Sequence, residues 1–588
     1  MLINSREQSN KLMEKIKNGI TSNYLILIIL GIASAMRLYH LEYQSIWLDE
    51  IASITEANPS VKWEDLEITI VTSDPHPQLY FIFLKSLFLL FGYTIFVARI
   101  FSAVIGVLGV FSIYLLGKEI MNKKVGLISA FLLAINAFHL YYSQEVRMYS
   151  LLLLLSVLSF YRLVLFLKSI TYKNAIWYGV FTGLMLFTQF FGLFVLVSQL
   201  FILLIVLVRL EHKKDKLQFF YKSLLSGAII TAIFLPAVNI FIETTKKKYA
   251  AIQPTTIETI KQVFKDFADN SDALIWISIL LIITYFVFVL KNKLYKNKEE
   301  SVVLLVLLSW ILVTLLVPII RSYLVTPMIN SRYLIVIVPP LILLVALGID
   351  KIRNKIIPLV LVVILTLVSF KQLIYTNDYY NKINKGQFRE VADYVIKENT
   401  GKDPVFSNLT WHLIYLFDRD KTNTALVNKV FEDYVQEMIK DPNAIVPFWY
   451  FGAFGNPLKL SAASDKFMTE HFVVVHSLDK FDAWTRHYVP KEAQNVGELS
   501  EDTFTLGNIN DINWNGGVST TGPLLLVKIS EQNEGILKSG IRLRTKNGKV
   551  YKIIKTEIIG NFIHLTVDKN PKADADQLRY PNQIWYLK

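Results

Sequence analysis

Four short stretches combine acids and cations at places where apolar sequence stops or starts. The first, "SIWLDEIAS", sets Asp49 and Glu50 side by side. Water keeps such a pair ionised, whereas under a covering substrate one of them becomes a strong base with a raised pKa. The second, "TSDPHPQLYF", places Asp74 before His76, and Pro75 and Pro77 stiffen the backbone around the imidazole. An acid–imidazole pair of this kind can grip a phosphate or a metal ion. The third, "YYSQEVRMYS", carries Glu145 and Arg147 in a link of about five residues between two apolar segments. Charges so close to hydrocarbon are costly and count as functional candidates. The fourth, "NSRYLIVIVPPL", starts a helix with Arg332 and Tyr333, and arginine matches phosphate through its planar fork of donors. Each stretch alone also reads as an ordinary loop end, turn, ion pair or interfacial anchor. Tyr141, Tyr142 and Tyr149 read as interfacial aromatics rather than substrate contacts.

The elements that must position these residues are apolar helices. The chain has 588 residues, 53% of them hydrophobic, above the usual share for a soluble domain. The excess is concentrated in residues 22–374. Segments of spanning length fall near 22–39, 95–117, 125–142, 148–168, 174–190, 192–210, 220–242, 273–291, 301–320, 333–349 and 356–374. The run Gln78–Phe91 has 14 residues with Lys85 at its middle, which suits an interfacial helix. The pattern predicts about eleven crossings and one interfacial helix. The first segment imitates a signal peptide, with Ala33-Ser34-Ala35 as a cleavage site, but the many segments after it favour an uncleaved helix.

Charge orients the segments. With residues 1–21 in the cytoplasm, the inner loops hold 16 Lys and Arg, and the short outer loops hold Arg147, Arg321 and Arg332. That is a positive-inside bias, and it would reverse if 78–91 crossed. It puts all four polar stretches, and everything after residue 375, on the outer side of a plasma membrane. A base to deprotonate an acceptor and cations to neutralise a departing phosphate are then gathered on one face.

The last 214 residues read as soluble sequence. Residues 376–495 alternate helix-like segments (Phe388–Glu398, Phe431–Lys440) with strand-like ones (Pro404–Phe406, Ala444–Tyr450, His471–His476), as in a small α/β domain. Residues 500–588 read as a β module with a hairpin signal at Asn547-Gly548. The absence of cysteine rules out disulfides, thiolate nucleophiles and Cys-ligated zinc. The net charge of +13 belongs to the loop clusters, so no nucleic acid partner is expected.

As a set, the Asp49-Glu50 pair, the "HPxLY" element (His76, Pro77, Leu79, Tyr80), the "YSQExRMY" segment (Tyr142 to Tyr149) and the "RYL…PPL" helix start resemble the GT-C glycosyltransferases. The likeness is to the bacterial branch related to protein O-mannosyltransferases and to the aminoarabinose transferase of lipid A, over roughly residues 22–375. It implies a polyprenyl-phosphate-linked monosaccharide donor and inversion at the anomeric carbon. It also implies a glycan, lipid or protein acceptor, with membrane lipids as surroundings. Asp49 matches the catalytic base with Glu50 beside it, and His76 matches a position near the carrier phosphate. Glu145 and Arg147 match the second acidic segment. Gln78 stands where the family has a second proline. Some members use a divalent cation and others none, and no ligand set in the sequence decides between them. The expected architecture is a GT-C-like polytopic domain at 22–375, followed by the α/β domain and the β module. A lipid-glycan flippase would favour mid-membrane charges and an internal repeat. A non-catalytic partner-binding membrane protein would leave the four ordered stretches unexplained.

Overall fold

The computed structural model describes residues 24–72, 76–246, 254–354, 356–400, 403–418, 424–441, 444–453 and 460–491, then strands within 503–587. Two compact units emerge: Met1–Gln44 with Asp49–Lys382, and Ser45–Leu48 with Ile383–Lys588.

The first unit is helical. Its elements are α1 (Tyr24–Leu38), α2 (Leu48–Glu56), α3 (Leu66–Thr72), α4 (Leu79–Phe91), α5 (Ile95–Ile120), α6 (Lys123–Ile135), α7 (Ala137–Ser143), α8 (Tyr149–Lys168) and α9 (Tyr172–Leu186). They continue with α10 (Gly192–Arg209), α11 (Lys213–Phe234), α12 (Val238–Lys246), α13 (Ile257–Phe267) and α14 (Asp272–Lys291). The last are α15 (Lys298–Leu324), α16 (Val338–Asp350) and α17 (Ile356–Phe370), with a 3-10 turn at Tyr333–Ile337 leading into α16. Thr94, Asn122, Thr171 and Ser271 each precede a helix and accept an N–H of its first turn.

Among the described residues, eight helices are long and apolar enough to cross a membrane, or nine if the bent pair α6–α7 is one span. The chain is a multi-pass membrane protein, but the count differs from the eleven expected. The shortfall lies in α1 and α9, whose 15 described residues each reach only about 22 Å of a hydrocarbon core ~30 Å thick. Helix α4, 13 residues long, is likewise too short to cross. Its mid-helix Lys85 is buried and donates to the carbonyls of Asn58 (3.1 Å) and Val61, closing the turn before α3.

Close approach of backbones sets the helix packing. A Cβ on Gly126 of α6 would lie 2.6 Å from the Tyr114 carbonyl oxygen of α5, so only glycine fits there. At the helix ends away from Asp49, Asp350 pairs with Lys124 at 3.5 Å and Lys351 with Glu300 at 3.6 Å.

The second unit contains α18 (Phe388–Glu398), α19 (Thr410–Asp418), α20 (Phe431–Lys440) and α21 (Ala462–His471). Its first sheet has β1 (Val405–Ser407), β2 (Leu426–Asn428), β3 (Phe448–Ala453), β4 (Phe472–Lys480) and β5 (Ala483–Pro490) in the order β2-β1-β3-β5-β4. The first three are parallel, and β5 pairs antiparallel with β3 and β4. The core is aromatic, with Phe431, Tyr434, Phe448, Tyr450 and Trp484 packed together. A second, antiparallel sheet joins β6 (Thr503–Phe504), β7 (Leu524–Lys528), β8 (Arg542–Thr545), β9 (Val550–Ile559), β10 (Phe562–Val567) and β11 (Ile584–Leu587). Strands β8 and β9 flank the expected hairpin and pair antiparallel, while Asn547-Gly548 lies outside the described residues.

Candidate active site

Helix α2 opens with Asp49 and Glu50 in its first turn, where the helix dipole favours negative charge. Successive helical residues point about 100° apart, and the two carboxylates have separate fates. Glu50 is fully buried and meets Arg99 of α5 through two contacts, Nε to Oε1 at 3.1 Å and Nη2 to Oε2 at 2.9 Å. Its Oε1 also accepts the Val146 N–H at 3.0 Å. Arg99 in turn donates to the carbonyls of Leu41 and Gln44. Glu50 therefore ties α2 and α5 to the link that carries Glu145 and Arg147.

Asp49 faces the other way. Its Oδ2 accepts from Arg332 Nη1 at 2.6 Å, and both side chains are about a quarter exposed. The Arg332 guanidinium stands over the rings of Tyr149 (5.7 Å) and Tyr333 (5.3 Å). Burial opposes its charge, but Tyr149, Tyr333 and Asp49 outweigh that and raise its pKa.

Arg147 completes the cluster. Its Nη1 donates to the Asp49 carbonyl (3.3 Å) and to Ser53 Oγ (3.2 Å), and its Nη2 lies 3.0 Å from His76 Nε2. Arginine only donates, so His76 Nε2 accepts and the imidazole proton sits on Nδ1. Glu145 is fully buried two residues before Arg147. Tyr149 lies beneath both arginines, with the Arg147 guanidinium 6.0 Å and the Arg332 guanidinium 5.7 Å from its ring centre. Its neighbours are Tyr142 (5.1 Å) and Tyr333 (6.2 Å).

The link 144–148 is held from both sides. Gln144 Nε2 donates to the carbonyls of Arg37 and Tyr39, and its Oε1 accepts from Tyr379 at 2.8 Å. Upstream, the chain bends by 65° between α6 and α7. Asn136 caps the new helix by accepting the His139 N–H, and Asp269 accepts the N–H groups of Ala137 (3.3 Å) and Phe138 (3.0 Å). Burial pushes the Asp269 carboxyl up to about 7, against the two backbone hydrogen bonds that pull it down. Gln78 immediately precedes α4, buried, with Nε2 3.4 Å from the Pro236 carbonyl.

Of the residues expected from sequence, Asp49, His76, Arg147 and Arg332 are joined by direct contacts, and Tyr333 packs at their edge. Asp74 lies outside the described residues. Among the described residues no group of three or more His, Asp or Glu could hold a metal ion. The sequence reading missed Ser53, one helical turn after Asp49, and set Tyr149 aside. Its position two residues beyond Arg147 was the available signal.

The helical unit, with this acid–arginine cluster at its helix ends, has a GT-C-like fold. Residues 75–240 match the family described as dolichyl-phosphate-mannose-protein mannosyltransferase, a stretch that includes His76, Glu145 and Arg147. The fold is similar to ArnT from Cupriavidus metallidurans in the apo state, at 9% identity and a TM-score of 0.53 over 79% of this chain and 98% of that one. The same protein bound to undecaprenyl phosphate matches at 10% identity and a TM-score of 0.52, again over 79% and 98%. The apo oligosaccharyltransferase of Archaeoglobus fulgidus matches at 10% identity and 0.49, over 73% of this chain and 69% of that one. No curated protein sequence matches the chain.

Proposed function

We propose that the protein is an inverting glycosyltransferase that moves a monosaccharide from a polyprenyl-phosphate carrier to an acceptor on the non-cytoplasmic face of the membrane. The observation that carries this reading is the Asp49–Arg332 contact at 2.6 Å with Arg147 alongside. A carboxylate that can take a proton stands beside two fixed cations, at the ends of apolar helices where a lipid carrier can present its headgroup. The ArnT structure with bound undecaprenyl phosphate supports the donor class.

In this reading Asp49 accepts the proton of an acceptor hydroxyl as its oxygen attacks the anomeric carbon. The bond from that carbon to the carrier phosphate breaks on the opposite face, which inverts the configuration. The departing phosphate gains negative charge, and guanidinium donors of Arg147 and Arg332 stabilise it. Arg332 has further N–H groups to turn to the phosphate besides the one that holds Asp49. His76 orients Arg147, and the Tyr149 and Tyr333 rings support the two cations and offer the sugar an apolar face. Glu145 shapes the link beside them, and Glu50 positions Asp49.

Mass spectrometry of lipids that co-purify with the protein tests this directly. The expected species is a polyprenyl phosphate carrying one sugar. Purified protein that retains no such lipid, and transfers no sugar when supplied with one, defeats the reading.

A further inference from the structure

A cation with no carboxylate partner among the described residues lies well away from this site. Arg162 is in α8, thirteen residues beyond Tyr149 and six before Lys168, so about 20 Å and 9 Å along the axis from each. Its guanidinium is boxed by three rings, 5.5 Å from Tyr161, 5.5 Å from Trp177 and 5.8 Å from Phe181. Its Nε is enclosed with no hydrogen-bond acceptor, and among the described residues no carboxylate pairs with it.

Such a charge inside a spanning segment is costly unless something anionic meets it. The box opens outward: Trp177 is 41% exposed and Ile176, beside it on α9, equally so. Trp177 lies five residues into α9, at about the depth of Arg162 on the antiparallel neighbour. The helix ends just beyond are basic. Lys173 is exposed, Lys168 pairs with Glu119 at 2.9 Å, and Lys222 donates to the Ile170 carbonyl at 2.8 Å. A half-buried guanidinium about 9 Å along α8 from Lys168, with a lipid-exposed Trp177 ring for acyl chains and lysines nearby, matches one class of ligand.

We propose that Arg162, with Tyr161, Trp177 and Phe181, binds the phosphate of one anionic phospholipid in the leaflet opposite the Asp49 cluster. The fork of N–H donors takes the phosphate oxygens, and Trp177 and Ile176 line the acyl chains. The site is independent of the transfer chemistry and anchors α8 against α9.

The test uses the full chain in a neutral detergent, titrated with phosphatidylglycerol, phosphatidylcholine or inorganic phosphate and followed by native mass spectrometry. One phosphatidylglycerol should be retained where phosphatidylcholine and free phosphate are not. Arg162→Gln should weaken that retention about tenfold or more, as loss of a charge-assisted hydrogen bond implies, and Arg162→Lys should fall between. Equal retention by wild type and Arg162→Gln, or equal binding of inorganic phosphate, overturns the proposal. Should Arg162→Gln not fold, brominated lipids read the wild type directly. Quenching by brominated phosphatidylglycerol that is lost in Trp177→Phe supports the site, and equal quenching by brominated phosphatidylcholine defeats it.

Discussion

The carboxylate of Asp49 is held 2.6 Å from the guanidinium of Arg332, although 283 residues separate them in the chain. An acid from the start of the helical unit thus meets a cation from near its end, and Arg147 reaches the same residue from between. If Asp49 is the base, Asp49→Asn should lower transfer by about 10²–10⁴-fold, the usual worth of a general base. The variant should insert into membranes and purify like the wild type. Transfer at an undiminished rate would remove Asp49 from that role.

Arg147 holds the Asp49 carbonyl, Ser53 and His76 through two terminal nitrogens. Lysine keeps the charge but has no fork. Arg147→Lys is expected to cost about 1.5–3 kcal/mol of transition-state stabilisation, roughly a ten- to hundredfold fall in kcat/KM. His76→Ala should move kcat/KM in the same direction by less. Steady-state kinetics with a short-chain donor reads both, and unchanged values in Arg147→Lys would contradict phosphate gripping.

Glu50 is expected to behave unlike its neighbour. Removing one partner of a buried ion pair leaves the other uncompensated, at a cost of about 3–5 kcal/mol. Glu50→Gln should therefore lower Tm sharply, whereas Asp49→Asn stays close to wild type. Thermal unfolding in detergent distinguishes them. A Glu50→Gln protein of wild-type stability that cannot transfer sugar would assign Glu50 a chemical role.

Asp269 gives the helical unit a pH dependence. Its folded pKa of about 7 lies above the ordinary value of 3.8, so between those limits the folded state holds a proton that the unfolded state has released. Stability from this group therefore falls as pH rises through that window. Compared with Asp269→Asn, the wild-type Tm should drop between about pH 4 and pH 8. Parallel Tm profiles for the two proteins would show that Asp269 does not titrate there.

Orientation can be checked with sealed inside-out vesicles. The charge bias predicts that added protease spares residues 386–588. Digestion of that region would reverse the assignment of faces.

Residue types and their placement already defined much of this molecule. Apolar runs interrupted by polar stretches mark a helical membrane unit, because hydrocarbon admits few charges except at segment ends or where they are paired. The bounds of α18 and α20 follow from amphipathic spacing, and Asp49, His76, Arg147 and Arg332 stand out as charges at apolar boundaries. Other features depend on contacts far apart in the chain. Asp49 and Glu50 are chemically alike and adjacent, and only the rotation of α2 sends one to Arg332 and the other to Arg99. Hydropathy marked eleven apolar runs but could not tell a full span from the 15-residue α9 or the α6–α7 bend at Asn136. Tyr149 resembles any interfacial tyrosine until folding brings two arginines over its ring. A side chain's partners are set by packing between distant segments, and local sequence records its type and periodicity but not the neighbour it will meet.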